Sequence, residues 1–294
     1  MIDSAIEIIV SGLLLLSPSL PGTGEVGELV AADTASAEDP RAFWGQVDCA
    51  EHPPALTPGH QLIERGGDPH PMAGGTPQGD GGFRRLSVYD GDDVYGERCE
   101  LGLNDRESGP TVFYEEGDRY STHISLRLPG ELEIDSPGWR TVMQMKQAQP
   151  YDNPDPASIF ELQVLSGRWL VLSDWRYIWD APARTDVWTR FTFEVAYSAD
   201  PELGLVRVLA DLNGDGDHQD DVDGDGKQDE RSSRVQLATL RAETAGDSED
   251  GIDAGEPIPS HLRAGIYQDP GYRCPRSGLG CSVDVDNVQV VDRR

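Results

Sequence analysis

The chain has 294 residues, of which 53 are acidic and 24 basic, giving a formal net charge of -29 at pH 7. Long-range repulsion of this size argues against nucleic acid or an anionic membrane as a partner, and it favours solubility and the binding of divalent cations. The length fits one large domain with a full core better than two smaller domains.

The N-terminus resembles a secretion signal. Residues 8–16 are apolar, and the Ala-Ser-Ala sequence at 35–37 is typical of a signal cleavage site, although acidic residues precede the apolar run where Lys or Arg is usual. The small, acidic residues from 23 to 39 predict a flexible lead-in. We therefore expect residues 1–37 to be a signal peptide or disordered leader, and 38–294 to be one secreted, monomeric domain.

Four cysteines indicate an oxidising compartment. Cys49, Cys99, Cys274 and Cys281 lack the paired spacing of a metal site, and their even number suits two disulfides. The sequence allows three pairings. We favour Cys274 with Cys281, which closes a short loop, and therefore Cys49 with Cys99.

Short runs of alternating apolar and polar residues, separated by Gly, Pro and Asp, predict β-strands throughout the chain. Residues 52–82 and 175–179 are instead expected to be irregular. Since no stretch has a sustained helical period, the predicted fold is all-β, a jelly-roll β-sandwich of the concanavalin A-like kind with two antiparallel sheets. The predicted strands are 83–89, 98–103, 120–128, 139–147, 159–165, 169–172, 188–197, 205–211, 262–267 and 282–291.

An acidic insertion at 211–230 contains two successive D-x-[DN]-x-D-G patterns. Carboxylates at alternate positions, with Gly for the sharp turn, allow a short loop to surround a calcium ion with hard oxygen ligands. The twelfth-position Glu and the flanking helices of an EF-hand are missing, so a structural calcium loop is expected, with a solvated acidic hairpin as the alternative. The candidate ligands are Asp211, Asn213, Asp215, Asp217, Asp221, Asp223, Asp225 and Asp229.

Three short motifs on predicted strands contain the residue types that a β-elimination needs. They are R-C-E-L at 98–101, Q-M-K at 144–146 and R-A-G-I-Y-Q at 263–268. Because residues i and i+2 of a strand share a face, one sheet surface can collect Arg, Gln, Lys and Tyr.

These motifs resemble those of the jelly-roll polysaccharide lyases, a group that includes glucuronan lyases, heparin lyase I-type enzymes and, more distantly, alginate lyases. In alginate lyases the motifs run in the same order, approximately as R-x-E-L, Q-x-H and K-A-G-x-Y-x-Q. The resemblance covers about residues 83–291. Lys146 replaces the His of Q-x-H, as in the glucuronan and heparin lyase-like members. The resemblance implies a secreted lyase that cleaves a uronic-acid-containing polysaccharide.

The resemblance also implies roles for individual residues. Tyr267 would donate a proton to the leaving oxygen, and either Tyr267 or His123 would be the base. Arg98, Gln144 and Lys146 would neutralise the substrate carboxylate as charge develops on it. The expected substrate-binding residues of these motifs are Arg263, which would also orient Tyr267, together with Glu100 and Gln268. Independently of the resemblance, Trp175 in the predicted loop is a candidate subsite, because aromatic faces can stack on sugar rings.

Two other functions use similar folds. A non-catalytic, lectin-like sandwich would bind carbohydrate without needing the Tyr, Gln, Lys and Arg cluster. A retaining glycoside hydrolase would need two carboxylates roughly 5 to 5.5 Å apart. No strand carries an E-x-D-x-x-E-like pair, so the hydrolase ranks below the lectin-like alternative.

Overall fold

The computed structural model describes residues 27–33, 41–50, 60–63, 83–92, 96–103, 112–147, 158–242, 255–274 and 280–294. In this part of the chain, the four-residue helix α1 (Arg41–Trp44) is accompanied by seventeen strands. No helix among the described residues is long and apolar enough to cross a membrane. The predicted apolar signal segment at 8–16 and the cleavage site at 35–37 lie outside the described residues.

The first nine strands are β1 Glu28–Asp33, β2 Gln46–Cys49, β3 His60–Ile63, β4 Phe83–Val88, β5 Arg98–Gly102, β6 Arg119–Arg127, β7 Arg140–Gln147, β8 Ser158–Leu165 and β9 Arg168–Ser173. The remaining strands are β10 Arg176–Pro182, β11 Trp188–Ala196, β12 Leu205–Asp211, β13 Val235–Gln236, β14 Arg241–Ala242, β15 Pro257–Ile258, β16 Ser260–Gln268 and β17 Cys281–Asp292.

Two large antiparallel sheets form a sandwich, which confirms the predicted jelly-roll class. An eight-stranded sheet has the order β13-β12-β11-β6-β17-β4-β3, with β1 also paired to β17, and a seven-stranded sheet has the order β10-β9-β8-β7-β16-β5-β2. A separate ribbon pairs β14 with β15.

The core lies between the two sheets, because each strand turns its apolar residues inward. Phe160 of the seven-stranded sheet lies 5.8 Å from Phe193 of the eight-stranded sheet, measured between ring centroids. Trp169 of the seven-stranded sheet packs edge to face against Phe191 of the eight-stranded sheet, with their ring centroids 5.1 Å apart. Each fully buried side chain of this size contributes about 1.5–3 kcal/mol relative to exposure, so contacts of this kind fix the two sheets face to face.

Both favoured disulfides are present. Cys49 and Cys99 are directly opposite each other on β2 and β5, with their Cα atoms 4.1 Å apart. Cys274 and Cys281 close the short loop between β16 and β17. The first bond ties the edge strand β2 to β5, which carries one of the three motifs.

Three short strands appear where irregular chain was predicted. The flexible lead-in is a wrong prediction for Glu28–Asp33, since β1 pairs with the last residues of β17. The strand β3 lies inside the segment 52–82, which was predicted to be irregular, and it pairs with β4. In β10 a register shift between Tyr177 and Trp179 interrupts the alternation by which a strand is recognised. The pairing of an edge strand depends on its partner strand more than on its own composition. This explains why β1 and β3 were not predicted.

Candidate functional site

The three motifs meet on the outer face of the seven-stranded sheet. The strand β16 lies between β5 and β7, so that Tyr267 pairs with Arg98 and Arg263 pairs with Gln144. The residues between them on these strands face the core. Sequence positions more than 160 residues apart are therefore brought into one polar surface, which we call the motif cluster: Arg98, Glu100, Gln144, Lys146, Arg263 and Tyr267.

Gly265 allows β16 to fit closely against β5 within this cluster. Its φ of +151° lies in a region that favours glycine, and a Cβ there would collide with the backbone carbonyl oxygen of Cys99. The register of β16 against β7 shifts between Ala264 and Tyr267 at the same place. The register of β16 against β5 is unbroken, and it places Tyr267 beside Arg98.

A buried carboxylate organises the base of the motif cluster. Glu100 is 1% exposed and accepts hydrogen bonds from Gln144 Nε2, Arg98 Nη1 at 3.3 Å and Arg263 Nη1 at 3.4 Å. Arg263 Nη1 also lies 2.8 Å from Asp48 Oδ2 on β2. Breaking one partner from such a buried pair typically costs about 3–5 kcal/mol, so these charges hold each other in place.

The amide of Gln144 has a fixed orientation. Its Nε2 donates to Glu100, and its Oε1 accepts a hydrogen bond from Ser158 Oγ. Gln144 is 2% exposed, so it belongs to the base of the cluster beneath the accessible groups.

Lys146 differs from the arginines because it is partly exposed and, among the described residues, forms no ion pair. Burial, followed by repulsion from Arg263 and Arg98, lowers the pKa of the Lys146 amine to about 8, with Glu100 and Asp48 opposing the shift. The chain has only two lysines, and the other, Lys227, lies in the acidic insertion. Lys146 therefore presents a titratable cation to whatever binds on this face.

His261 contacts the motif cluster and was missed by the sequence analysis. It pairs with Lys146 across the sheet, and its Nε2 accepts a hydrogen bond of 3.2 Å from Arg263 Nε. Burial, then the charges of Arg263 and Lys146, lower the pKa of the imidazole well below its usual value, so the ring is neutral at pH 7. Alternation along a strand would have placed His261 on the same face as Arg263, two residues later. The predicted strand began at residue 262, however, and so did not include His261.

Tyr267 is the second accessible group of the motif cluster. The guanidinium carbon of Arg98 lies 4.1 Å from its ring centroid, and Trp139 packs against the ring edge to face at 5.1 Å. No described residue hydrogen-bonds the Tyr267 hydroxyl. The ring is held from two sides, and none of the described residues occupies its hydroxyl.

His123 lies on the other sheet and is not part of the cluster. It belongs to β6 of the eight-stranded sheet, where its Nδ1 is 2.8 Å from Thr192 Oγ1. Burial and the nearby charges of Arg190 and Arg293 lower its pKa to about 3. The expectation that His123 supplies the base is not supported, because alternation along a strand predicts a shared face but not which sheet carries it.

Gln268 and Trp175 are also set apart from the motif cluster. Gln268 is fully buried and donates through Nε2 to Glu97 and to the backbone carbonyl of Tyr272. Trp175 lies in the turn between β9 and β10, at the far edge of the same sheet, and is 92% exposed.

The acidic insertion forms two turns of the same kind. Asp211 accepts hydrogen bonds from the backbone N–H groups of Gly214 and Gly216, and Asp221 does the same for Gly224 and Gly226. The carboxylate oxygens that lie within 4.8 Å of one another come from two groups: Asp215, Asp217 and Asp220, and Asp221, Asp223 and Asp225.

The remaining candidate ligands of the insertion make other contacts. Asn213 donates to Asp215 and to Asp220, and Asp229 accepts from the backbone of Val222 and Asp223. Asp220 was not among the predicted ligands. The donor set consists of hard oxygens, which is the chemistry that calcium prefers.

Solved structures with a similar fold include several enzymes that act on polysaccharides. An endo-β-1,4-glucuronan lyase from the fungus Trichoderma reesei superposes with a TM-score of 0.51 at 12% identity, covering 85% of this chain and 94% of that one. A glycoside hydrolase family 131 catalytic domain from Coprinopsis cinerea gives 0.49 at 12% identity, covering 90% and 94%. An alginate lyase from Corynebacterium sp. gives 0.42 at 10% identity, covering 72% and 76%.

The superposition on the glucuronan lyase supports the fold alone. No curated protein matches the chain by sequence. The polysaccharide lyase family model, in contrast, matches residues 75–278, which is more than half of the chain and includes all three motifs. The chain therefore belongs to the polysaccharide lyase family.

Proposed function

We propose that this polysaccharide lyase cleaves a uronic-acid-containing polysaccharide by β-elimination at the motif cluster. The observation that carries the proposal is Lys146, a partly exposed cation that has no ion pair with any described residue. It lies among two buried arginines in a protein of net charge -29. A cationic site of this kind in an acidic protein suits a ligand with a carboxylate at one defined position.

In the proposed reaction the substrate carboxylate pairs with Lys146. The arginines Arg98 and Arg263 lie behind it as buried charges that need no rearrangement. This arrangement stabilises the negative charge that the carboxylate gains as the neighbouring C5–H bond breaks. The Glu100 carboxylate offsets part of the positive charge, which keeps the cluster stable in the absence of substrate.

Tyr267 is the proposed proton-transfer group, since His123 lies on the other sheet. As the phenolate it takes the C5 proton, the C5–H electrons form the C4–C5 double bond, and the C4–O bond breaks. The phenol then returns the proton to the leaving oxygen. The Arg98 guanidinium over the ring stabilises negative charge on it during the transfer.

Calcium is proposed as a structural ion of the acidic insertion, away from the motif cluster. The insertion is joined to the far edge of the seven-stranded sheet, because Trp179 Nε1 donates to the Asp229 carbonyl and Arg168 lies 3.6 Å from Asp223. An ion there would stabilise this edge and take no part in the reaction. Two disulfides fit the proposed secretion of the enzyme.

The decisive experiment measures the ultraviolet absorbance of unsaturated uronate on glucuronan, alginate, heparan sulfate, hyaluronan and pectate. We expect absorbance to rise with one polymer and to be abolished by Tyr267→Phe. Tyr272→Phe is the control, since that hydroxyl hydrogen-bonds Glu133 outside the cluster. New reducing ends without absorbance would indicate a hydrolase, and binding without either product would indicate the lectin-like alternative.

A further inference from the structure

Two exposed aromatic side chains stand at the far edge of the seven-stranded sheet. Trp175 is 92% exposed and Tyr177 is 58% exposed, and they are the only aromatics among the exposed large hydrophobic residues of the described chain. The five other tryptophans are at least partly buried. Exposure of two neighbouring aromatic rings is costly in water, and it is typical of surfaces that bind a ligand.

The backbone at Trp175 is also in an unusual conformation. The two-residue turn between β9 and β10 consists of Asp174 and Trp175, whose φ angles are +47° and +63°. Such hairpin turns favour Asn-Gly, and a bulky residue in the left-handed region costs roughly 1–2 kcal/mol. Since the exposed ring gains little packing in return, stability alone does not account for a tryptophan at this position.

The strand register connects this edge to the motif cluster. Tyr177 pairs with Leu172, Leu172 with Glu161, Glu161 with Gln144, and Gln144 with Arg263. These five residues form one row across the outer face of the sheet. From β10 to β16 the row crosses four strand spacings, or about 19 Å, which is the length of a short oligosaccharide rather than of a single sugar.

Trp175 lies at the level of a second row that contains Lys146. Ser158 pairs with Lys146, and Lys146 with His261. On the neighbouring strands, Phe160 pairs with Ser173. Because β8 and β9 are antiparallel, two residues before Phe160 is level with two residues after Ser173, so Ser158 is level with Trp175. The turn therefore lies at the same end of the strands as the accessible cation of the cluster.

The surface along these rows changes in chemical character between the cluster and the edge. The Glu161 carboxylate is occupied by hydrogen bonds of 2.7 Å from Thr141 Oγ1 and from Gln163 Nε2. Arg168 on β9 is paired with Asp180 at 2.7 Å. Beyond the cationic cluster the row offers a satisfied carboxylate, the apolar side chain of Leu172 and then the Tyr177 ring, a surface that suits the face of a sugar ring.

We propose that Trp175 and Tyr177 form a distal subsite that stacks on a pyranose ring of the bound polysaccharide, so that the chain lies across the strands from β16 to β10. The inference rests on the proposed function, because the occupant is the substrate itself. Recognition is divided along the sheet: the cluster binds one carboxylate, and the distal subsite binds the face of a sugar several units away.

The experiment compares Trp175→Ala with wild type on the polymer and on the shortest oligosaccharide that is cleaved. We expect KM for the polymer to rise about three- to tenfold, as for the loss of one aromatic stack, with kcat unchanged. Kinetics on the short substrate stay the same, because it does not reach the edge. Trp175→Phe keeps a ring and should restore most of the polymer affinity.

Leu203→Ala is the matched control, since Leu203 is 66% exposed in the turn between β11 and β12 of the other sheet. A Trp175→Ala variant indistinguishable from Leu203→Ala on the polymer would refute the distal subsite. Equal losses on polymer and short substrate would also refute it, because they indicate damage to the reaction centre.

A binding measurement separates this proposal from the proposed function. The Tyr267→Phe variant is titrated with each polymer, with and without Trp175→Ala, and the dissociation constants are compared. If wild type cleaves nothing, but Trp175→Ala still weakens binding, the subsite stands and the lyase assignment falls. If no polymer binds to any form of the protein, the subsite falls as well.

Discussion

Replacing Lys146 by Met should abolish activity and make the protein more stable at neutral pH. The amine is held in a partly buried position beside Arg263 and Arg98, and its pKa falls from 10.5 to about 8. At 1.36 kcal/mol per pKa unit, holding the charged amine there costs the folded state about 3 kcal/mol at pH 7. Met keeps the unbranched stem but removes the charge, so we expect a gain of about 1–3 kcal/mol in the free energy of unfolding.

The pH dependence has a defined sign. Because the folded pKa lies below the unfolded value, the unfolded chain binds more protons between pH 8 and 10.5, and wild-type stability rises through that window. Below pH 8 the penalty is present in full. The advantage of Lys146→Met should therefore be largest at pH 7 and shrink towards pH 10.5.

Urea unfolding of both proteins at pH 7, 8.5 and 10 measures this effect. Lys227→Met is the control, because Lys227 is 80% exposed and its amine is paired with Asp225 at 2.6 Å. The reasoning is refuted if Lys146→Met is less stable than wild type at pH 7, or if the difference between the two proteins does not change with pH.

Three further changes test other parts of the structure. Gly265→Ala should lower the free energy of unfolding by about 2 kcal/mol or more and reduce activity, since the new Cβ would collide with the Cys99 carbonyl oxygen. Urea unfolding measures this, with Gly91→Ala as the control, because Gly91 also has a positive φ but open space around it. Glu100→Gln should lower the unfolding free energy by about 3 kcal/mol by leaving two buried arginine charges underpaired, and a melting curve insensitive to it would contradict the network. Calcium should raise the thermal midpoint, by the equivalent of about 2.7 kcal/mol at a hundredfold excess over its dissociation constant, and Asp221→Asn should reduce that shift while leaving kcat unchanged.

The strands could be predicted from the sequence because a sandwich strand must alternate between core and surface. The predicted strand at 205–211 has the observed bounds, and most others differ by one or two residues. The strand β10 could not be found in this way, since its register shift places apolar residues out of phase. An edge strand such as β1 forms because it pairs with a distant strand, here β17, and the local sequence gives no information about that partner.

The candidate site was predictable only in part. Alternation predicts that Gln144 and Lys146 share a face, but the adjacency of β5, β16 and β7 depends on the sheet topology, which only the structure gives. The same gap explains His123, whose strand belongs to the other sheet. Asp48 lies on β2, which was not predicted as a strand, so its pairing with Arg263 had no signal in the local sequence.

The strand β1 completes one side of β17. One side of β17 is shared between β4, along residues 281–285, and β1, along residues 288–292. Cleavage at the signal-like site that ends at residue 37 would remove β1 and leave the second half of that side without its backbone partner. A bare strand edge of this kind is a template for self-association.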